Sequence, residues 1–310
     1  MHFSGQYQDT RDWSLERAKN DVGKEVKDSK IITYDYCPFD QRYVYYTGKT
    51  NGLIAWLRTE VQRNMLKPNN LALLTCRQGI DDNWNLVGVS EHVVDDCRLS
   101  NRYKERGYVF PLYVYLPGNG KDTPYKNFDD KIFKKICDGL DFEPTPEQVF
   151  YYIYAVLNSP KYREEYQEFL KIDFPRVPYP TERESFEKLA EFGHELVEFH
   201  LMRNPSSWKL SVRFPIGGSD VIEEVRCEED KVFINSKQYF SNVSETAWSM
   251  FMGGYQPAQK WLKDHKGKTI DYVYYERIIY VLDQMASIMN EIDNYIVNVS
   301  YFIFLNNGQK

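Results

Sequence analysis

The chain has 310 residues, 42% hydrophobic and 27% charged, with a formal net charge of -6. This composition excludes a disordered chain, and the length allows a core that needs neither disulfide nor metal. No apolar run approaches the roughly 18 residues that span a bilayer, and the N-terminus lacks the basic-then-apolar layout of a signal peptide, so neither membrane partner nor export is expected. Cys37, Cys76, Cys97, Cys137 and Cys227 are odd in number and contain no C-x-x-C pair, which fits a reduced, cytoplasmic chain. The N-V-S triplets at Asn242 and Asn298 would accept glycans only in a secretory compartment and are read as chance. With 25 Tyr and 18 Phe, the chain is rich in side chains that suit half-wet interfaces and grooves, although most such rings belong in a core.

In chain order, residues 12–24 predict a short amphipathic helix carrying Trp13, Leu15 and Ala18. "IITYDYCPFDQRYVYYTG" then predicts strands joined by a tight bend, broken by Pro38 and closed by Gly48. The apolar run "LALLTCRQ" reads as a buried strand that delivers Arg77 and Gln78 to a surface. Further strands are expected at 85–94 and 108–116, the latter ending in a Pro-Gly turn. From Thr145 the period changes to helical. Thr145, Pro146 and Gln148 form a capping box before "VFYYIYAVLNS", and Ser159-Pro160 opens a second helix through "KYREEYQEFLK". Thr181 and Glu184 suggest another capping box, before a helix with Phe186, Leu189, Ala190, Leu196, Val197 and Leu201 on one stripe. Strands are expected again in "WKLSVRF" and in "DVIEEVRCEEDKVFIN", whose acidic middle suits a hairpin turn. A long helix follows over 272–295, and the apolar tail "VNVSYFIFLNNGQK" is suited to docking. The fold class is therefore α+β, with two packed lobes and a long C-terminal helix. The expected divisions are a lead and helix over 1–30, an α/β lobe with a helical second half over 31–205, and a β-hairpin lobe over 206–310 that carries a basic segment.

No reaction centre is legible. "TGKTNG" ends like a phosphate-binding loop, but the glycine required five residues before Gly48 is Tyr43, so a surface turn is the better reading. "NSPKY" loosely resembles the tetrapeptide with which amino-methyltransferases hold a flipped base. Ser159 and Lys161 break it, and no glycine-rich strand-to-helix loop lies upstream. His2, His92, His194, His200 and His265 are scattered. The spacing of His194 and His200 puts them on different faces of a helix, so structural roles are expected and no metal site is predicted. Glu25-Val26-Lys27 is an E-x-K triplet with Asp21 nearby, a weak nuclease signal in a charged link.

What stands out is "GGYQPAQKWLKDHKGK" over 253–268, in which Lys260, Lys263, Lys266 and Lys268 face a single acid, Asp264, for a local balance of about +3. A solvated lysine face is the plain explanation. Against it, Tyr255, Gln256 and Trp261 interleave donors and aromatic faces with the lysines, as in a nucleic-acid contact segment, and the field at a groove depends on local rather than total charge. Other polar contact candidates are Arg77 and Gln78 at a strand end and Lys161 and Arg163 at a helix start.

"RDWSLERAKNDV", "YCPFDQRYVYYTGKTNGLI", "NLALLTCRQ", "YVFPLYVYLP", "YIYAVLNSPKYREEYQEFLKIDFPRVPYP" and "GGYQPAQKWLKDHKGK", in this order and spacing from about Arg11 to Asp293, resemble the C-terminal specificity region of type ISP restriction-modification enzymes and related N6-adenine methyltransferase-containing polypeptides. In that family one polypeptide carries a nuclease, a helicase-like ATPase, an adenine methyltransferase and then a target recognition domain. The resemblance implies the recognition part alone, a truncated or split product with no catalytic residues. S-adenosylmethionine, ATP and Mg would belong to the family's other domains. The tail after Tyr295 extends beyond the resemblance.

The expected function is sequence-specific binding of double-stranded DNA, so that a partner methyltransferase or nuclease acts on it. A base extruded for chemistry needs its flanking duplex held in register. Lys260, Lys263, Lys266 and Lys268 would bind phosphates. Arg77, Gln78 and Gln256 would read base edges, and Lys161, Arg163, Tyr255 and Trp261 would contact DNA or an interface. The alternative is a docking module that packs on a methyltransferase domain or subunit with little DNA affinity of its own.

Overall fold

The computed structural model describes residues 8–80, 82–116 and 123–298. Ser14 opens α1 (Leu15–Val22) by accepting the Arg17 N–H on its hydroxyl. Asp21, near the end of α1, anchors the next turn, where its carboxylate accepts from the Thr47 hydroxyl at 2.7 Å and the Leu53 N–H at 2.9 Å. Thr47 of the "TGKTNG" segment and Asp21, the acid near the weak nuclease triplet, are thereby used in one tether.

β1 (Ile31–Cys37) and β2 (Asp40–Tyr45) form the expected antiparallel hairpin, closed by Pro38 and by Phe39 at φ 57°. After the one-turn α2 (Thr59–Gln62), β3 (Ala72–Cys76) becomes the centre of a second sheet. The strand expected over 85–94 is two strands. β4 (Val87–Ser90) pairs antiparallel with β3, whereas β5 (Val93–Val94) crosses to lie parallel to β1. Ser90 makes the break: its hydroxyl accepts the His92 N–H at 3.0 Å, a side-chain-closed bend that competes with the ladder.

The run over 108–116 divides in the same way. β6 (Gly107–Pro111) completes the β4-β3-β6 sheet, and β7 (Tyr113–Tyr115) pairs with β8 (Pro124–Lys126). Here the Asn70 amide stands in for a strand, accepting from the Tyr113 N–H at 3.1 Å and donating to its carbonyl at 2.9 Å. The Pro-Gly turn expected after this run lies outside the described residues.

The helical half begins with α3 (Asp130–Leu140) and α4 (Pro146–Asn158). The capping box of α4 is present: the Gln148 N–H donates to Thr145 Oγ1 at 3.1 Å and the Thr145 N–H to Gln148 Oε1 at 2.9 Å. Removing the hydroxyl leaves a donor unpaired at the helix start. Thr145→Ala is expected to lower stability by about 1 kcal/mol, measured as a shift in the urea unfolding midpoint with unchanged slope.

The helix expected after Ser159 breaks at Tyr166 into α5 (Pro160–Glu165) and α6 (Gln167–Leu170). α7 (Arg183–His200) departs from the sequence at its start. It begins after Glu182, with no side-chain cap, so Thr181 and Glu184 form no capping box. Its apolar stripe packs on α4 as expected, with Phe186, Leu189, Ala190, Leu196 and Val197 buried and Leu201 half-buried.

"WKLSVRF" forms no strand. A single bridge joins Arg213 to Ser241. The acidic hairpin is present as β9 (Arg226–Glu228) and β10 (Lys231–Phe233), joined by β11 (Tyr239–Phe240). The chain ends in α8 (Glu245–Ser249), α9 (Pro257–Asp264) and α10 (Tyr272–Asn298). In α10, Ile278, Val281, Leu282, Met285, Ile288 and Ile292 are buried against a cluster that runs from Phe39 to Ile296 and crosses position 205. The apolar tail beyond 298 and His2 lie outside the described residues. Among those described, no helix is long and apolar enough to cross a membrane.

A buried polar network fixes the hairpin to the helices. Asp35 of β1, 3% exposed, accepts from the Ser90 hydroxyl at 2.6 Å and faces His92 Nδ1 at 3.3 Å. His200, buried at the end of α7, bonds Tyr154 through Nδ1 and Arg98 through Nε2. Burial, then the Arg98 charge, pushes His200 down to about 3, so it is a neutral core histidine. His92 differs. Its bond to Asp35 raises its pKa against a smaller opposing effect of burial, and that bond with the Arg98 charge holds Asp35 low despite burial.

A raised histidine stabilises fully below its unfolded pKa of about 6.5 and loses that contribution as pH rises through the folded value; a lowered carboxylate loses its own at acidic pH. The stability advantage of wild type over His92→Gln is therefore expected to be larger at pH 5.5 than at pH 8.5, by roughly 1 kcal/mol, in parallel urea titrations.

Candidate nucleic-acid interface

The basic segment is built on a clamp. Gly253 and Gly254, which the sequence suggests are flexible, are fixed: the Gly253 N–H donates to Asn85 O at 2.8 Å and the Gly254 N–H to Leu99 O at 2.7 Å. Gly253 sits at φ 60°, and a Cβ there would lie 2.0 Å from Leu99 O. Tyr255 completes the clamp by donating its hydroxyl to Cys97 O at 2.8 Å. A turn held at both glycines starts α9 in one orientation.

α9 buries Ala258, Trp261 and Leu262, a stripe at spacings of three and four, and turns Lys263 outward. The chain after it is pinned as well. Gly267 N–H donates to Ile222 O at 2.7 Å, Ile222 N–H to Lys268 O at 3.0 Å, and Ile270 N–H to Asp220 O at 2.7 Å. Lys263, Lys266 and Lys268 are exposed on this fixed frame, and no ion pair involves them among the described residues.

Lys260 departs from the expectation. It pairs with Asp264 one turn on and lies over the rings of Tyr36 at 5.8 Å and Tyr255 at 5.4 Å. Partial burial opposes its charge, but the Asp264 bond and neighbouring charges outweigh it and raise the pKa. It is a charged strut whose carboxylate partner already supplies its anion.

The other candidates separate. Tyr255 and Trp261 are buried, so they back the surface rather than form it; the Trp261 ring stacks on His265 with centroids 4.1 Å apart. Gln256 donates to Ser249 O at 3.2 Å. Arg77 is exposed but tied to Asp173 at 3.0 Å, and Gln78 is half-buried beside it. Lys161 exposes its ammonium at the start of α5, while its N–H meets Asp293 of α10. Arg163 is turned inward. Its guanidinium donates to Leu157 O at 2.7 Å, one of the last carbonyls of α4 and in need of a donor, and to the side-chain oxygens of Asn158 at 2.9 Å and of Asn85. Burial pushes it down to about 10, leaving it charged at neutral pH.

The structure brings the β1–β2 hairpin to this face, an association that sequence spacing could not reveal. Arg42 lies 3.8 Å over the Tyr36 ring and pairs with Asp40 at 2.7 Å, so Arg42, Tyr36, Lys260 and Tyr255 form a cation-aromatic ladder from hairpin to helix. Between the hairpin and the end of α9 runs a groove of about 290 Å³, lined by Thr33, Gln41, Tyr43, His265 and Tyr274 among others. The composition cue was the Arg and Tyr content of β2, but nothing in it pointed to α9.

A larger cleft of about 440 Å³ lies between residues 79–86 and the 251–254 turn, where Arg102 faces Glu105 at 3.8 Å and Asp82 pairs with Lys171 at 2.6 Å. Asp95, Asp96 and Cys97 bring three ligand atoms together, yet Asp96 already pairs with Arg106 at 2.6 Å, and burial first, then Asp96, pushes the Cys97 thiol up to about 11.

No curated protein matches the chain. Solved structures that share its fold include three Type ISP or related complexes with DNA. A nuclease-deletion mutant of the Type ISP restriction-modification enzyme LlaGI in complex with a DNA substrate mimic aligns at 19% identity and TM-score 0.65 over 87% of this chain. The ATP-dependent Type ISP enzyme LlaBIII bound to DNA aligns at 16% identity and TM-score 0.67 over 87%. The DrdV-DNA complex aligns at 18% identity and TM-score 0.65 over 88%. The match covers 25%, 19% and 28% of those chains, respectively. The family described as Type ISP C-terminal specificity domain matches residues 2–291, nearly all of this sequence, and the chain belongs to it.

Proposed function

We propose that this chain is a DNA target recognition module of a restriction-modification enzyme, holding duplex DNA so that a methyltransferase or nuclease elsewhere in the assembly acts on it. The observation that carries the reading is the fixed presentation of Lys263, Lys266 and Lys268, three exposed amines on a frame clamped at both ends. Phosphate contacts of this kind set register without reading sequence. The family membership and the DNA carried by the three structural neighbours support the same reading. On this reading, S-adenosylmethionine, ATP and Mg chemistry belongs to other domains.

Fluorescence anisotropy with a labelled random-sequence duplex at low salt tests the proposal. Lysine-dependent binding supports it, and failure to bind any duplex overturns it.

The docking alternative has one observation in its favour. Tyr108 and Phe110 on β6 pack edge-on against Phe174, and nearby Phe169 and Ile172 are 68% and 69% exposed. A chain that only docks would leave the lysine variant indistinguishable from wild type in the same titration.

A further inference from the structure

We infer that the groove between the β1–β2 hairpin and the end of α9 reads base edges, with Gln41 and His265 as the discriminating groups; this rests on the DNA-recognition reading above. Arg42, the groove's cation, has its guanidinium committed to Asp40 and to the Tyr36 ring, and Asp40 is buried. Beside the rings of Phe39 and Trp261, the groups left to face a ligand are the polar side chains of Thr33, Gln41, Tyr43, His265 and Tyr274, which suit base edges rather than phosphates.

Gln41 is exposed, and among the described residues its side chain makes a single, long hydrogen bond, 3.4 Å to His92 Nδ1. Its amide offers adjacent donor and acceptor atoms, the pattern that meets an adenine edge in the major groove. His265 is held in one pose. Its ring stacks on Trp261, and Nδ1 lies 2.8 Å from the Trp261 carbonyl, which can only accept. Nδ1 therefore carries a proton, and in the neutral ring Nε2 is an acceptor. Such an acceptor complements the exocyclic amine of cytosine or adenine.

The placement fits the geometry of a duplex. β2 is the outer strand of the β2-β1-β5 sheet, and Gln41 and Tyr43 project from the same side of it, two residues apart, with Tyr43 79% exposed. Lys263 and Lys266 flank His265 in the chain, so the same short segment that would hold phosphates carries one wall of the groove.

The test is selection from a randomised duplex library, run in parallel on the full wild-type chain and on Gln41→Ala/His265→Ala, with anisotropy on the unselected pool. Wild type is expected to enrich a defined motif. The variant should bind the unselected pool within about two-fold of wild type and with the same salt slope, but lose roughly ten- to hundred-fold of discrimination at one or two base pairs. An unchanged motif and preference would overturn the inference. So would loss of pool binding together with the salt slope, which would make these residues phosphate contacts, or wild-type binding without any motif. A wild type that binds no duplex removes the DNA reading itself, and a thermal melt of each protein separates that result from misfolding.

Discussion

Replacing Lys263, Lys266 and Lys268 together with alanine is expected to reduce affinity for any duplex on the order of a hundred-fold at about 0.1 M salt, and to flatten the dependence of log affinity on log salt by roughly 2.7, at about 0.9 per neutralised phosphate. The amines are exposed and have no ion pair among the described residues, so the variant should fold as wild type does. Anisotropy titrations at several salt concentrations measure both quantities. Lys260→Ala provides the contrast: with Asp264 already bound to that ammonium, the slope should fall by well under one unit. If all four lysines met phosphates, as the sequence suggests, the total slope would be about -3 to -4. The structure predicts three contributing positions and one strut.

Gly253→Ala is expected to have the largest effect on stability of any single change in this region, about 3 to 5 kcal/mol, with loss of DNA affinity in the surviving folded fraction. The new methyl would meet the Leu99 carbonyl oxygen at 2.0 Å at a backbone φ of 60°, and relief would break the hydrogen bonds to Asn85 and Leu99 that orient α9. Gly267→Ala is the matched control. That residue also has a positive φ, 81°, but a Cβ there has nothing within 4 Å, so only the backbone preference is lost, about 1 kcal/mol. Urea unfolding of the two variants side by side separates contact from conformation.

The elements that sequence described well depend on local chemistry. The α4 capping box, the α10 stripe and the acidic β9–β10 hairpin were legible because a cap, a period of three and four, or a turn is written within a dozen residues. The misreadings occur where a distant side chain intervenes. Ser90 ends β4 by bonding His92 and Asp35, Asn70 redirects the chain at Tyr113, and "WKLSVRF" finds no partner strand beyond the Arg213 bridge. Thr181 failed for the opposite reason: the pattern was present, but the helix starts two residues later. In the candidate interface, the lysine cluster was visible from composition, whereas the fates of Lys260, Tyr255, Trp261 and Arg163 were not, because each is set by what it packs against.

The sequence by itself determined the α+β class, the helix starts with correctly placed caps, the family resemblance and the location of the basic segment, since each rests on patterns written within short stretches or on the order of such stretches along the chain. Only the tertiary structure decided that two glycines are a clamp rather than a hinge, that one of four lysines is neutralised by its neighbour, and that Gln41 and His265, 224 positions apart, line one groove. Burial and charge pairing are properties of neighbours in space. A single sequence orders residues along one dimension and leaves those neighbours to the packing of the core.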